Sequence, residues 1–220
     1  MESPNEITWE MIRSSFYVAV VCDVLDQLGF EHQSPRIQLR PLTTSGLLAG
    51  RCKTTRWEEI FETDPQPYAL ELQAVDSCKS NDVVIVAADG STRAGTWGEL
   101  LSRAAMNRGS VGTIVDGAVR DVHQMSAMKF PCFAKHLCPY DSLNRMRVID
   151  VDVSVELDGV RFEPDSMVMA DRDGVVVIPS EAEQETLQLA WKKIHEENEV
   201  RRAIEQGMSA TDAFRKYGVL

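Results

Sequence analysis

Two short runs carry the residue types that could do chemistry together. One is Gly98-Glu99-Leu100-Leu101; the other is Asp116-Gly117-Ala118-Val119-Arg120-Asp121. The first reads as the N-terminus of a helix, where free amides and the helix dipole bind carboxylates. The second follows an apolar run of strand length, so its side chains would be held at the end of a sheet. Arg120 offers a planar fork to a carboxylate or keto oxygen. Asp121 offers oxygen to a hard divalent cation. Glu99 could complete the water shell of such an ion or act as a base. On spacing alone, a surface ion pair at a helix start is the commoner outcome for an Arg-Asp dipeptide.

The elements that must position these residues follow from periodicity. Residues 9–30 predict a helix, with Ile12, Phe16, Val20, Leu25 and Leu28 at near-helical spacing and Gly29 at its end. Residues 32–46 predict a loop, and 47–55 a strand. A second loop over 58–68 leads to a helix at 68–76. Val83 to Ala88 is a fully apolar run of strand length. A helix over 98–108 closes on Gly109, and Val111 to Val115 predicts a buried strand followed by Asp116-Gly117. A short helix at 120–128 and a strand at Cys132-Phe133-Ala134 complete a strand–helix–strand order that implies parallel strands. From Val148 to Leu157 the pattern favours strand, and Asp158-Gly159 signals a hairpin. Val160–Phe162, Met167–Met169 and Val175–Ile178 continue the strand-rich region, which Pro179 stops. Ser180 and Glu183 predict a capping box for a long helix whose apolar stripe (Leu187, Ala190, Trp191, Ile194) fades after His195. Ser209 with Asp212 caps a last short helix that Gly218 ends. A βαβ-like half followed by a β-rich half predicts a mixed, layered α/β fold.

Composition narrows the function classes. The chain has 220 residues, 44% hydrophobic and 26% charged, enough for one domain with an appendage. It carries 23 basic and 34 acidic residues, a net charge of −11, which disfavours nucleic acid as a partner. No apolar run is long enough to span a membrane, and the start, MESPNEITWE, has no basic region leading into an apolar stretch. The expectation is a cytoplasmic protein with no membrane partner. Five irregularly spaced cysteines, with no CxxC pair, read as reduced structural thiols.

The stretch Trp97 to Asp121, WGELLSRAAMNRGSVGTIVDGAVRD, is similar to the signature of the RraA-like family. That family includes class II 4-hydroxy-4-methyl-2-oxoglutarate/4-carboxy-4-hydroxy-2-oxoadipate aldolases, related oxaloacetate decarboxylases and the regulator of ribonuclease E activity A. Asp23 to Gly29 resembles its early helix, Leu48-Ala49-Gly50-Arg51 its first strand, and Asp171 to Pro179 its closing strand. Glu99, twenty intervening residues and Arg120-Asp121 keep the spacing of the aldolase members, with Glu where those members usually have Asp.

The resemblance implies an αββα sandwich of the RraA-like, swivelling-domain type over 1–180. Residues 181–220 would form a C-terminal helical extension packing on a neighbouring subunit. It implies a homotrimer with active sites at subunit interfaces. Asp121 would bind Mg²⁺ or Mn²⁺ with water filling most positions. Arg120 would bind the pyruvyl part of a small anionic 2-oxo acid, and the amides of Gly98, Glu99, Leu100 and Leu101 its carboxylate. Glu196, or Glu199 one turn on, would reach the metal site of the next subunit. The implied activity is a metal-dependent carbon–carbon lyase that releases pyruvate from a 4-hydroxy-2-oxo acid, with oxaloacetate decarboxylation through the same enolate. The alternative is a non-enzymatic trimer that binds a ribonuclease; those regulators typically lack an acid at the position of Glu99. Asn81-Asp82 and Pro164-Asp165-Ser166 stand where relatives carry Gly-Asp turns, and Asn tolerates the positive φ such turns need. The segment Pro139 to Arg145 is read as a structural loop before a specificity loop.

Overall fold

A computed structural model describes residues 6–43 and 46–218; positions 44 and 45 of the predicted 32–46 loop lie outside them. The chain opens with α1 (Trp9–Ser15) and α2 (Val18–Gln27), then the two-residue β1 (Arg40–Pro41) and the long β2 (Leu48–Glu59). Next come α3 (Ala69–Asp76), β3 (Asp82–Ala87), β4 (Gly95–Trp97), α4 (Glu99–Arg108), β5 (Gly112–Val119), α5 (Val122–Ala127) and β6 (Cys132–Leu137). The strand-rich part is β7 (Met146–Val151), β8 (Val155–Leu157), β9 (Val160–Phe162), β10 (Met167–Ala170) and β11 (Val175–Ile178). Two helices end the chain, α6 (Glu183–Glu205) and α7 (Ala210–Tyr217).

Among the described residues one sheet runs β1-β6-β5-β3-β2-β10-β11, with β4 on β5 and β7 on β2; β8 and β9 form a separate hairpin. The β2–β3, β3–β5 and β5–β6 pairings are parallel, as the strand–helix–strand order requires. β2 is long enough to serve two halves. Its start pairs with β10 and its end with β7.

Side-chain alternation then builds an αββα sandwich. Val84, Val86 and Val115 face α3, α4 and α5, where Val75, Ala105 and Met125 are buried. Val83, Ile85, Ile114 and Phe133 point the other way, into an inner core shared with Leu157, Phe162, Val168 and Val177. Met167, Met169, Val176 and Ile178 face outward again, against Ile12, Val21, Leu25, Leu187 and Ala190 of α1, α2 and α6. Each such large apolar side chain contributes roughly 1.5–3 kcal/mol by leaving water.

The structure departs from the sequence expectations in several places. β2 runs on to Glu59, into the predicted 58–68 loop, and β1 lies inside the predicted 32–46 loop. The helix predicted over 9–30 breaks at Phe16 and Tyr17, both extended. Each half is tied down separately. Arg13 Nη2 donates to Ala49 O (2.9 Å) and Asn81 Oδ1 (2.7 Å), while the Val18 N–H donates to Asp171 Oδ2 (2.8 Å) at the start of α2. The Ser180–Glu183 capping box does not form. Ala182 is the N-cap of α6, and the Glu183 carboxylate pairs instead with the Arg51 guanidinium on β2, at 2.7 Å from Nη2. A charge-assisted bond to Arg competes well with a backbone amide. Asp116-Gly117 lies inside β5, which runs on to Val119 through a bulge against β6. The strand expected over 148–157 is interrupted at Asp152, which takes a positive φ of 56°.

The turn chemistry is as expected: Asn81 and Asp165 have positive φ, and so do Asp158 and Gly159 at the β8–β9 hairpin. Ser209 accepts the Asp212 N–H and caps α7. α7 packs back on α6, and Val200 and Ala213 are buried there. Cys52, Cys78, Cys132 and Cys138 are buried and all five cysteines are free. Burial pushes the Cys22 thiol up to about 11 and those of Cys78 and Cys132 to about 12, so they stay neutral. No helix among the described residues is long and apolar enough to cross a membrane.

Candidate active site

The site is built where β4 and β5 end beside the start of α4. The Arg120 N–H donates to Trp97 O (2.9 Å), which fixes the end of β5 against β4. Trp97 Nε1 donates to Ser102 Oγ (2.7 Å), and Ser102 Oγ to Gly98 O (2.8 Å), so the first turn of α4 is locked onto β4. The Glu99 N–H faces Asp121 Oδ2 at 3.3 Å. This close approach needs Gly98: a Cβ there would lie 2.7 Å from Asp121 Oδ2 and 3.2 Å from Arg120 Cγ. Asp121 itself adopts a left-handed conformation (φ 57°), which turns the chain from β5 into α5.

A cleft of about 290 Å³ opens at this point. Gly98, Leu100, Leu101, Arg120 and Asp121 line it, so five of the residues singled out in the sequence converge. The Leu100 and Leu101 amides, in the first turn of α4, have no acceptor among the described residues and are donors available to an anion. Asp121 Oδ2 is engaged by the Glu99 amide and lies 3.7 Å from Arg120 Nε, while Oδ1 has no partner among the described residues. Among the described residues no three His, Cys, Asp or Glu side chains converge as a metal cage. A divalent ion at Asp121 would therefore have one protein carboxylate and take its remaining oxygens from water and substrate. That donor set suits Mg²⁺, which keeps several waters.

Glu99 departs from the expected placement. Its carboxylate accepts Arg103 Nε at 2.7 Å one helical turn on and does not line the cleft; only its backbone amide reaches Asp121. Glu196 lies on α6, in the outer layer opposite to the one that holds α4 and α5. Its carboxylate is half-exposed, 3.7 Å from Lys192. Glu199 is exposed, and the intervening Glu197 accepts the Tyr17 hydroxyl. Within one chain neither Glu196 nor Glu199 meets Asp121.

Further cleft residues come from the start of α3 (Tyr68, Glu71 and Leu72) and from the loop after β6 (Asp141 and Ser142). The Gly95 N–H donates to Tyr140 O (2.9 Å), which brings Asp141 and Ser142 to the cleft. The 139–145 segment therefore shapes the site. Arg120 Nη2 lies 2.7 Å from Asp141 Oδ2, Tyr68 Oη donates to Asp141 Oδ1 (2.5 Å), and the Leu143 N–H donates to the same oxygen (2.7 Å). Burial works against charge on Asp141, but Tyr68, the Leu143 amide and Arg120 outweigh it and hold the carboxyl below its usual range. Glu71 on α3 is only 7% exposed. Burial, and next the charge of Asp141, push its carboxyl up to about 8, against the pull of Arg120 and a hydrogen bond with Ser142. The sequence signal for Glu71 is its register: with Ala74 and Val75 it occupies the buried stripe of α3, where a carboxylate is out of place.

A family model described as RraA-like (Aldolase/RraA) matches residues 18–177, a span that includes every cleft residue. An uncharacterised protein of Methanocaldococcus jannaschii is 32% identical over 142 residues, covering 64% of this chain and 68% of its own. A 4-hydroxy-4-methyl-2-oxoglutarate aldolase of Thermus thermophilus is 31% identical over 131 residues, 60% of this chain and 75% of the relative. Among solved structures, Streptomyces coelicolor RraAS2, described as an unusual member of the RNase ES inhibitor RraA family, is 26% identical. It covers 91% of this chain and 98% of that one with a TM-score of 0.77. With the family model spanning most of the chain and the same fold in a relative, the protein belongs to the RraA-like family.

Proposed function

We propose that the protein is a divalent-metal-dependent carbon–carbon lyase that releases pyruvate from a 4-hydroxy-2-oxo acid. The observation that carries the reading is the juxtaposition of Arg120 and Asp121 with the free amides of α4 at the head of one cleft. The aldolase name of the Thermus relative agrees with it. Asp121 would hold Mg²⁺ or Mn²⁺ through Oδ1. Bound there, such an ion supplies Lewis-acid stabilisation of negative charge on the substrate's keto oxygen.

The chain's own residues do the rest. Leu100 and Leu101 donate their amides to the substrate carboxylate, at the positive end of the α4 dipole. Arg120 presents its remaining donors, Nη1 among them, to the pyruvyl oxygens and stabilises the charge that develops there. Glu99 acts through its backbone amide, which positions Asp121. The base for the C4 hydroxyl comes from a second copy of the chain, as Glu196, in a homotrimer with its sites between subunits. Cleavage of C3–C4 leaves a three-carbon enolate. Oxaloacetate would give the same enolate on loss of CO₂, so the site is suited to both reactions.

Pyruvate release, measured over a panel of 4-hydroxy-2-oxo acids and oxaloacetate with Mg²⁺ or Mn²⁺, tests this. Asp121→Ala is expected to lose metal-dependent turnover and keep its fold. Full turnover by this variant, or by the wild type with no divalent ion, would overturn the assignment of Asp121. The likeness to an RNase ES inhibitor relative keeps one rival reading. A protein inert on the whole panel that slows a ribonuclease would be a regulator.

A further inference from the structure

Retro-aldol cleavage needs an acid as well as a base, because the enolate must gain a proton at C3 to become pyruvate. We infer that the Glu71 carboxyl group delivers that proton. The inference rests on the lyase reading above and adds to it the one group that reading leaves unassigned.

Few of the cleft-lining groups have a proton to give. Arg120 carries a guanidinium, which serves as a hydrogen-bond donor and not as an acid. Asp121 is solvent-exposed and stands beside Arg120. Asp141 is held in its charged form by Tyr68, Leu143 and Arg120. Tyr68 has its hydroxyl committed to Asp141, and burial with that hydrogen bond pushes it up to about 12. Ser142 is an alcohol, far too weak an acid. Glu71 remains, and it is the carboxyl of the cleft that burial keeps protonated near neutral pH. A general acid works best with a pKa near the working pH.

The surroundings of Glu71 fit a proton carrier. It lines the substrate cleft with Arg120, Asp121 and Asp141. It also borders a second hollow of about 280 Å³, formed with Asp64, Gln66, Tyr68 and Arg147. Glu71 therefore borders both the cleft proposed to take the substrate and a second hollow through which solvent can restore its proton. The titratable and charged groups nearest it are Tyr68 at the start of its own helix, Arg120 at the end of β5, Asp141 in the loop, and Arg147 on β7, which is itself paired with Glu58 on β2. The charges of α4, which packs on the same helix, are taken up in pairs, Arg108 with Asp76 and Arg103 with Glu99.

The step balances. The C3–C4 bonding pair becomes the C2–C3 double bond of the enolate. That pair then takes the proton from Glu71 to form a C3–H bond, and the C2 oxygen returns to a carbonyl. Glu71 is left as a carboxylate and is reprotonated from solvent. In reverse, the Glu71 carboxylate removes a methyl proton from pyruvate.

That reverse step is the test. The full-length protein with Mg²⁺ and pyruvate in D₂O should exchange the methyl protons for deuterium, followed by proton NMR. Exchange should rise with pH through about 8, as the carboxyl gives up its proton. Glu71→Gln is expected to slow exchange by at least about twentyfold and abolish that rise. Its inhibition by pyruvate should stay within about threefold of the wild type, since the binding groups are intact. Glu71→Asp, which keeps an ionisable group, should recover part of the exchange and separates a missing proton carrier from a disturbed fold. Wild-type exchange with a wild-type pH profile in Glu71→Gln, in a protein that cleaves its substrate, would overturn the donor role alone. A wild type that neither cleaves nor exchanges would overturn the lyase reading and this inference with it.

Discussion

Arg120 and Asp141 form an ion pair, Nη2 to Oδ2 at 2.7 Å, across the floor of the cleft. The contact holds the guanidinium in place before any ligand arrives. Among the described residues it leaves Nη1 without a carboxylate partner, and it sets the negative charge of Asp141 beside Glu71.

Asp141→Asn should therefore act on two groups at once. It frees Arg120 to wander, and lost positioning of this kind costs roughly ten- to a hundredfold in kcat/KM. It also removes a charge that helps hold the Glu71 proton, so the upper limb of the pH–rate profile should move to lower pH. Steady-state pyruvate release against pH reads both effects. A kcat/KM within about threefold of wild type would show that Asp141 does not position Arg120.

Gly98→Ala separates the site from the fold. Gly98 has ordinary extended backbone angles, so alanine brings no backbone strain. Its Cβ, however, would lie 2.7 Å from Asp121 Oδ2 and 3.2 Å from Arg120 Cγ. Side-chain ends can move aside, so melting should change by only a few degrees, while turnover should fall by more than about tenfold as both groups shift. A fully active Gly98→Ala protein would mean that the observed approach of Asp121 to α4 does not matter to the reaction.

The Arg120-Asp121 pair and the start of α4 were legible because the chemistry is local. A dipeptide at a strand end and a helix N-terminus can both be read from a few adjacent residues. The layers were legible too, since Val83–Val86 and Val175–Val177 alternate cleanly between two cores. What the sequence hid depends on distant partners. The Glu183 carboxylate leaves its expected cap for Arg51, which is 132 residues away. The Glu99 carboxylate turns to Arg103, a neighbour that its spacing to Asp121 says nothing about. Asp141 reaches Arg120 only because Gly95 pins the loop after β6 through Tyr140. Glu71 becomes unusual only through burial, a property of the packed layers.

Burial of Glu71 also has a signature in stability, independent of catalysis. Its carboxyl rises from 4.5 in the unfolded chain to about 8 in the folded one, so the folded state binds the proton more tightly. The stabilisation by that proton is fully present below about pH 4.5 and is lost as pH rises through about 8. The corresponding free energy is at most about 5 kcal/mol. Wild type should lose stability to denaturant between about pH 5 and 9, and Glu71→Gln should lose markedly less. Parallel pH profiles for the two proteins would mean that Glu71 titrates as an ordinary surface acid.

The last expectation concerns the carboxylate that one chain cannot supply to itself. Asp121 belongs to the layer of α3, α4 and α5, and Glu196 to the layer of α1, α2 and α6, with both halves of the sandwich between them. The first half of α6 spends its apolar residues Leu187, Ala190 and Ile194 on its own core. Beyond Ile194 the helix keeps only Val200 buried, while Glu196 and Glu199 stay at the surface. If Glu196 is the base at a neighbouring site, Asp121→Ala and Glu196→Ala each inactivate a different half of every interface. Unfolded and refolded together, the two inactive proteins should form mixed trimers. By random assembly roughly a quarter of their sites would then combine a wild-type Asp121 from one chain with a wild-type Glu196 from the next. Recovery of pyruvate release on that scale, with mixing verified by mass spectrometry, would support the shared site. No recovery in verified mixed trimers, or full activity in Glu196→Ala alone, would return this stretch of α6 to a solvated helix face.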